Sequence, residues 1–136
     1  IRRQFFGVKM ANNKDMRFSD THQWISSQSE GVATIGISDY AQESLGDIVY
    51  IDTPTIGDKF KAGEQCGVIE SVKTASDLFM PVDGEVVAIN ESLSDQPELI
   101  NKAPHEAWIF EVKVLDPRQI EVLKTEDEYM TFVEQG

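Results

Sequence analysis

The sequence has very little cysteine and histidine, and this narrows the chemistry that the chain can support. Cys66 is the single cysteine, so no disulfide can form within the chain, and a reducing compartment is indicated. Its apolar context, Cys66-Gly67-Val68-Ile69, favours a buried structural residue over a nucleophile. The two histidines, His22 and His105, lie far apart without the ligand spacing of a metal site. We therefore predict no metal.

Long apolar runs and basic residues are also scarce. No hydrophobic stretch approaches the roughly 20 residues that a membrane-spanning helix needs. Residues 1–17 carry five basic residues and one acidic residue (+4), whereas residues 18–136 carry seven basic and 23 acidic residues (−16), which gives the formal net charge of −12. Such an acidic body repels nucleic acid and anionic membranes. We therefore expect neither nucleic acid nor a membrane as a partner. Solubility alone would explain the acidity equally well.

The first 15 residues differ in composition from the rest of the chain. They carry four basic residues and one acidic residue, Asp15. An upstream translation start, a cloning remnant or the remainder of a targeting presequence would each have this composition, and Met10 and Met16 are both plausible natural starts. We expect residues 1–15 to be a disordered or extraneous extension and residues 16–136 to form one domain, whose length suits a single core.

Short apolar runs separated by turn residues indicate a mainly β chain. Strands are predicted over residues 24–26, 32–37, 48–51, 59–60, 67–69, 78–80, 85–89 and 108–114. Helices are expected at the margins: one begins at Ser38 or Asp39 and ends at Gly46, one runs from Asp116-Pro117 to Leu123, and one follows Thr125. Asn90 to Asn101 is predicted as a loop with a helical turn at residues 97–100. This pattern predicts a β-sandwich or flattened β-barrel.

One lysine is isolated from all other basic residues. Between residues 62 and 101, Lys73 is the only basic residue, and eight aspartates or glutamates share that window. The apolar runs Gly67-Val68-Ile69 and Leu78-Phe79-Met80 on either side predict a β-hairpin with Lys73 near its tip, although the link lacks the Asn-Gly or Asp-Gly pair of the tightest turns. Most lysines are simply solvated; the surroundings of this one indicate a specific use.

The stretch around this lysine resembles the lipoyl-lysine motif of the H proteins of the glycine cleavage system. Residues 70–77, Glu-Ser-Val-Lys-Thr-Ala-Ser-Asp, carry the resemblance. Further matches follow the order of that family from Phe18 to the C-terminus: His22-Gln23-Trp24, residues 36–43, Leu45-Gly46-Asp47, residues 81–86, Asn90 and residues 97–101. The resemblance implies a barrel-sandwich hybrid of the lipoyl-domain type, with short helices near the N-terminal region and at the C-terminus.

The resemblance also implies a carrier that catalyses nothing by itself. Lys73 would hold lipoate in amide linkage, and the arm would carry the aminomethyl group of glycine from a pyridoxal-phosphate glycine decarboxylase to a folate-dependent aminomethyltransferase. A flavin-dependent dihydrolipoamide dehydrogenase would then reoxidise the dithiol, and a lipoate-attaching enzyme completes the set of partners. A monomer is expected in the bacterial cytoplasm, with the mitochondrial matrix as the alternative.

Two groups of site residues follow from the resemblance. The attaching enzyme is expected to read the hairpin and one downstream glycine, namely Glu70, Ser71, Val72, Thr74, Ala75 and Gly84. The loaded arm is expected to dock near His22, Gln23 and Trp24. Gln23 stands where the family usually has glutamate, so we expect a weaker hold on the loaded amine. Glu106-Ala107-Trp108 lacks the glycine pair that often precedes that tryptophan, which affects only a loop.

Three other classes of protein also use a lysine of this kind, and the sequence argues against each. Biotin carriers usually place methionine on both sides of the lysine, whereas Val72 and Thr74 flank it here. Lipoyl domains of 2-oxoacid dehydrogenases typically read Asp-Lys-Ala at the turn and are shorter. A Schiff-base enzyme activates its lysine by burial or by a neighbouring cation, and the sequence offers neither.

Overall fold

The computed structural model describes residues 16–28 and 30–135, which form two antiparallel sheets around a shared core. The expectation for residues 1–15 lies outside the described residues. The strands are β1 (Met16–Phe18), β2 (Gln23–Ser27), β3 (Val32–Ile37), β4 (Ile48–Asp52), β5 (Lys59–Phe60), β6 (Gln65–Ser71), β7 (Ala75–Phe79), β8 (Gly84–Ile89) and β9 (Phe110–Val114). The helices are α1 (Asp39–Leu45), α2 (Ser92–Asp95), α3 (Leu99–Lys102), α4 (Arg118–Glu121) and α5 (Glu126–Gln135).

The larger sheet has six strands in the order β1-β2-β3-β9-β8-β5. Where β9 pairs with β3, Phe110 lies opposite Ile35, and both side chains are fully buried. A register shift between Glu111 and Val112 interrupts the pairing of β9 with β8. Alternate residues of these strands therefore line one face of the core, as expected of a half-buried antiparallel sheet.

The smaller sheet has three strands in the order β4-β6-β7, and it contains the predicted hairpin. Strands β6 and β7 pair from Gln65 opposite Phe79 to Glu70 opposite Ala75. Ile69 and Leu78 face the core and are buried. The hairpin prediction is therefore confirmed, and residues 72–74 form its tip.

Two apolar clusters hold these sheets and the C-terminal helix together. The main cluster contains buried residues of both sheets, among them Ile25, Ile69 and Phe110. A second cluster, made of Met16, Phe18, Trp24 and Tyr129, joins β1 and β2 to α5. The sandwich predicted from the sequence is confirmed, and neither sheet closes into a barrel. None of the helices in the described part of the chain is long and apolar enough to cross a membrane.

Helix α1 begins and ends where the sequence predicts. Ser38 is its N-cap, because the Ser38 hydroxyl accepts a hydrogen bond from the Ala41 backbone N–H at 3.1 Å. Asp39, the other predicted cap, lies in the first turn and accepts a hydrogen bond from the Gln42 side chain. Gly46 ends the helix with a φ of +83°, a left-handed conformation that favours glycine.

Three elements differ from the sequence prediction. Strand β1 was not predicted, because three residues give no pattern of their own; β1 forms by pairing with β2 and through Phe18, which exchanges backbone hydrogen bonds with Lys124. Helix α2 lies in the stretch predicted as loop, where burial of Leu93 holds a single turn. Helix α4 covers only Arg118–Glu121 of the longer helix that was predicted.

Candidate functional site

Lys73 is exposed at the tip of the β6–β7 hairpin, and the turn that presents it is tightly closed. The backbone N–H of Ser71 donates to the carbonyl of Thr74 at 2.7 Å. The Ser71 hydroxyl also donates to that carbonyl and accepts from the Thr74 N–H, both at 3.1 Å. Ser71 itself is buried, whereas the side chain of Val72 is 75% exposed. The turn therefore points Val72 and Lys73 away from the core.

The hairpin tip rests on the corner between α1 and β4. The backbone N–H of Val72 donates to the carbonyl of Asp47 at 2.9 Å. A Cβ atom placed at Gly46 would lie 3.4 Å from the Cε of Lys73, so the alkyl chain of the lysine passes over the Gly46 backbone. The sequence predicted the turn, but it gave no sign of this supporting corner.

A cavity of about 400 Å³ opens beside the hairpin, between β7, α1 and the segment that precedes β2. Its lining is partly apolar, from Ile37, Ala41, Leu45 and Ile69. Polar and aromatic side chains complete it, from Thr21, His22, Gln23, Tyr40, Ser44, Thr74, Ser76 and Asp77, together with Ala75. Because Thr74 directly follows Lys73, the cavity begins next to the lysine. A group attached to Lys73 thus has an adjoining space with apolar and polar parts.

Gln23 lies in the wall of this cavity, but its amide already has partners. The side chain is only 2% exposed. Its Oε1 atom accepts hydrogen bonds from the hydroxyls of Ser19, at 2.8 Å, and Thr21. Its Nε2 atom donates to the Thr21 carbonyl at 2.9 Å. The three bonds hold the amide against the loop at residues 19–21.

His22, the neighbouring residue in the wall, is linked to the C-terminal helix. Its Nδ1 atom lies 2.6 Å from the hydroxyl of Tyr129, which in turn lies 2.7 Å from the hydroxyl of Ser38. Burial lowers the pKa of His22, and the nearby carboxylate of Asp20 opposes this shift. His22 has a φ of +75°, an unusual value for a residue with a side chain.

Asp77 is a wall residue whose role the sequence did not predict. It lies four residues after Lys73 on β7, and it is the acidic residue of the lining. Its Oδ1 atom accepts a hydrogen bond from the Gln65 side chain at 3.1 Å. The sequence showed Asp77 in the motif, but only the packing of β7 beside the segment before β2 brings Asp77 into the lining of the same cavity as Gln23.

Three further predicted site residues, Trp24, Gly84 and Glu70, lie outside the lining of the cavity. Trp24 does not line the cavity: its ring is buried, it packs against Gly36, and its Nε1 donates to the Pro104 carbonyl at 2.9 Å. Gly84 lies in the larger sheet, where an added Cβ would approach the Lys113 carbonyl to 3.0 Å. Glu70 is exposed on β6, opposite Tyr50 of β4.

Cys66 and His105 take structural positions. Cys66 is buried, and this burial raises the pKa of its thiol to about 12, which makes it a poor nucleophile. The Nε2 atom of His105 accepts a hydrogen bond from the Asp39 backbone N–H at 3.2 Å. Burial lowers the pKa of His105, while Asp39 and Glu126 act in the opposite direction. The burial predicted for Cys66 is confirmed.

Comparison with known proteins agrees with this geometry. The family model described as glycine cleavage H-protein matches residues 16–136. The chain belongs to the glycine cleavage H-protein family. It is 48% identical over 124 residues to the glycine cleavage system H protein of Vibrio campbellii, covering 90% of this chain and 98% of that protein. The H protein of Marinobacter nauticus is 50% identical over 110 residues, covering 80% and 85% of the two chains.

A solved H protein has the same fold. The crystal structure of a glycine cleavage system H protein from Mycobacterium marinum aligns with a TM-score of 0.80 and 32% sequence identity, covering 89% of this chain and 98% of that one. Members of the H-protein family are lipoyl carriers of the glycine cleavage system and not catalysts. This sets aside the biotin carrier, the 2-oxoacid dehydrogenase domain and the Schiff-base enzyme as functions for this chain.

Proposed function

We propose that Lys73 is the attachment point of the lipoyl group, through an amide at its Nζ. The observation that carries the proposal is the position of this lysine: exposed at a closed turn, supported by Gly46 and adjacent to the cavity. Attachment joins the lysine amine to an activated lipoyl carboxyl group, and the activating group and one proton leave. An exposed amine on a fixed turn suits this reaction because an enzyme must enclose it from outside.

The cavity residues fit the attached arm and its load. When bound, the lipoyl group supplies the dithiolane that accepts the aminomethyl group and the electrons. The apolar wall of Ile37, Leu45 and Ile69 would contact its aliphatic part. The carboxylate of Asp77 would pair with the ammonium of an aminomethyl load, since charge-assisted hydrogen bonds are the stronger ones. Gln23 would contribute shape but no charge, because its side chain is a neutral amide, and that amide is already hydrogen-bonded to the loop at residues 19–21.

The partners follow from membership of the glycine cleavage system. We propose that the chain meets glycine decarboxylase, aminomethyltransferase and dihydrolipoamide dehydrogenase in turn, and a lipoate-attaching enzyme once. The net charge of −12 favours brief encounters with basic surfaces on these proteins. The exposed residues Glu70, Val72, Thr74 and Ala75 at the hairpin would be read by the attaching enzyme, whose active site must reach Lys73 itself. The bacterial sources of the relatives support a bacterial cytoplasmic setting.

The test is glycine–bicarbonate exchange, reconstituted with glycine decarboxylase and a lipoate-attaching enzyme. Lys73→Arg should abolish exchange, because a guanidinium stays protonated and forms no amide. Its free energy of unfolding should stay within about 0.5 kcal/mol, as for most surface changes. Lys59→Arg, an exposed lysine of β5, is the matched control and should keep full exchange. A folded Lys73→Arg protein that supports exchange above the background without carrier would contradict the proposal.

A further inference from the structure

We propose that Asn101 is a positioning residue for Lys73, acting through the corner between α1 and β4. This inference rests on the proposed attachment of lipoate at Lys73. Asn101 lies in α3, about 30 positions along the chain from the lysine, and it lines no part of the cavity. Its side chain nevertheless determines where the hairpin tip can rest.

The Asn101 amide bonds to three groups around that corner. Its Nδ2 atom donates to the Gly46 carbonyl at 2.8 Å and to the Gln42 side chain at 2.9 Å. Its Oδ1 atom accepts a hydrogen bond from the Ile48 backbone N–H at 2.9 Å. Both donor hydrogens and one acceptor are thus used. The two backbone groups belong to residues on either side of Asp47, so one side chain fixes both ends of this residue.

Asp47 and Gly46 are the residues on which the hairpin tip rests. The Asp47 carbonyl accepts the Val72 N–H at 2.9 Å, and the Gly46 backbone lies under the alkyl chain of Lys73. Asn101 is therefore two hydrogen bonds away from the residue that precedes the lysine. A shift of the corner would move both supports of the lysine together.

The corner depends on the Asn101 hydrogen bonds because α1 and β4, the elements on either side of it, constrain it only weakly. Gly46 lies past the end of a helix, where carbonyl groups lack helical partners. The pairing of β4 with β6 is irregular between Ile48 and Tyr50, immediately after the corner. Attachment of lipoate requires the Lys73 amine at a defined place, and a small misplacement of a reacting group lowers the reaction rate strongly. We infer that Asn101 supplies this precision from outside the hairpin.

The test compares two half-buried asparagines whose side-chain amides bond to different parts of the fold. Asn101→Asp keeps the shape and the acceptor for Ile48 but removes both donors and places a carboxylate against the Gly46 carbonyl. Asn90→Asp is the control: Asn90 is likewise half-buried, and its Nδ2 donates to a backbone carbonyl, that of Trp108, at 2.8 Å. Amide hydrogen exchange at Val72 and steady-state lipoate attachment are measured on both full-length variants and on the parent chain.

We expect Asn101→Asp to speed exchange at the Val72 amide about tenfold, the effect of weakening one or two half-buried hydrogen bonds. The kcat of lipoate attachment should fall about tenfold, with KM for the chain changed less than about twofold, because the exposed hairpin residues are unchanged. Asn90→Asp should leave Val72 exchange and kcat at parent values even where its melting temperature drops equally. Should Asn101→Asp fail to fold, Asn101→Ala and Asn90→Ala replace the pair, since neither introduces a charge.

Parent values for both Val72 exchange and kcat in the Asn101 variant would overturn the inference. Equal changes in the Asn101 and Asn90 variants would also overturn the inference, because they would show that Asn101 contributes only to the general stability of the fold. A parent chain that gains no lipoyl group at Lys73 would instead refute the proposed function. Exchange at Val72 would then still decide whether Asn101 holds the hairpin tip.

Discussion

Asp77 and Gln23 both line the cavity, and their side chains differ in how many hydrogen-bonding positions remain free. Gln23 is held by Ser19 and Thr21. Asp77 accepts a hydrogen bond from Gln65 and keeps other acceptor positions on its exposed carboxylate. Glutamate at position 23 would turn a second oxygen towards the Thr21 carbonyl, to which Nε2 now donates. Asp77 is therefore the acidic residue of the lining that can still accept further hydrogen bonds.

We predict that Asp77→Asn will speed the non-enzymatic loss of ammonia and formaldehyde from the loaded arm several-fold. A carboxylate keeps the amine protonated and bound, and an amide cannot supply that charge. Gln23→Glu should slow the loss, which is the direction expected from the sequence. The factor should be smaller than that for Asp77→Asn, because the Thr21 carbonyl would repel the second oxygen of a glutamate. Release of formaldehyde from isolated loaded protein is the measurement, with Asp95→Asn of α2 as control. Equal rates for Asp77→Asn and the parent would remove Asp77 from the docking site.

At the scale of elements, the C-terminal helix α5 connects to the cavity through the Tyr129 hydroxyl and through the rings of Tyr129 and Phe132, which lie beside His22. Tyr129 is 2% exposed, and its hydroxyl contacts both the cap residue Ser38 of α1 and the ring of His22. Burial raises the pKa of Tyr129, and the hydrogen bond with Ser38 opposes this shift. The Tyr129 ring also stacks on Phe18 at 4.5 Å between centroids. Helix α5 therefore supports both α1 and the wall of the cavity.

Tyr129→Phe should lower the free energy of unfolding by about 1–3 kcal/mol, because the buried Ser38 hydroxyl and the half-buried His22 ring would lose a partner while the ring of residue 129 remains. Tyr50→Phe is the matched control, since Tyr50 is 54% exposed, and its effect should stay within about 0.5 kcal/mol. Urea denaturation of the two variants gives both values. A loss no larger for Tyr129 than for Tyr50 would show that the hydroxyl contributes nothing to the fold.

The elements that sequence reasoning found are those with local causes. The β6–β7 hairpin follows from two apolar runs around a polar link, and α1 from a cap residue and a terminal glycine. Strand β1 and the corner at Asp47 depend on contacts with distant residues, Phe18 with Lys124 and Gly46 with Asn101. Such contacts leave no periodic pattern, so the hairpin that presents Lys73 could be predicted, whereas the corner that supports it could not.

At the scale of the whole molecule, the two histidines make the fold sensitive to moderate acid. Burial lowers the pKa of both His22 and His105 from the ordinary value of 6.5. Because these pKa values are lower in the folded chain, the unfolded chain binds more protons than the folded chain as the pH falls through 6.5. The free energy of unfolding therefore decreases as the pH falls. Burial raises the pKa of Glu111, which acts in the opposite sense nearer its ordinary value of 4.5.

We expect the free energy of unfolding to decline between about pH 7.5 and pH 5.5, and the decline to be smaller in a His22→Gln, His105→Gln double variant. Urea denaturation at several pH values gives both slopes. The amide of glutamine can still accept a hydrogen bond but does not titrate in this range. Identical slopes in the parent and the double variant would assign the acid sensitivity to other groups.

The central claim, that Lys73 carries the lipoyl group, is tested most directly by peptide mapping with mass spectrometry. The chain is co-expressed with a lipoate-attaching enzyme, digested and sequenced by fragmentation. The account predicts the mass increment of one lipoyl group on the peptide that contains Lys73, and unmodified peptides for Lys59, Lys61 and Lys102. A lipoyl increment on any of those three lysines, or an unmodified Lys73 beside a control H protein that is fully modified, would contradict it.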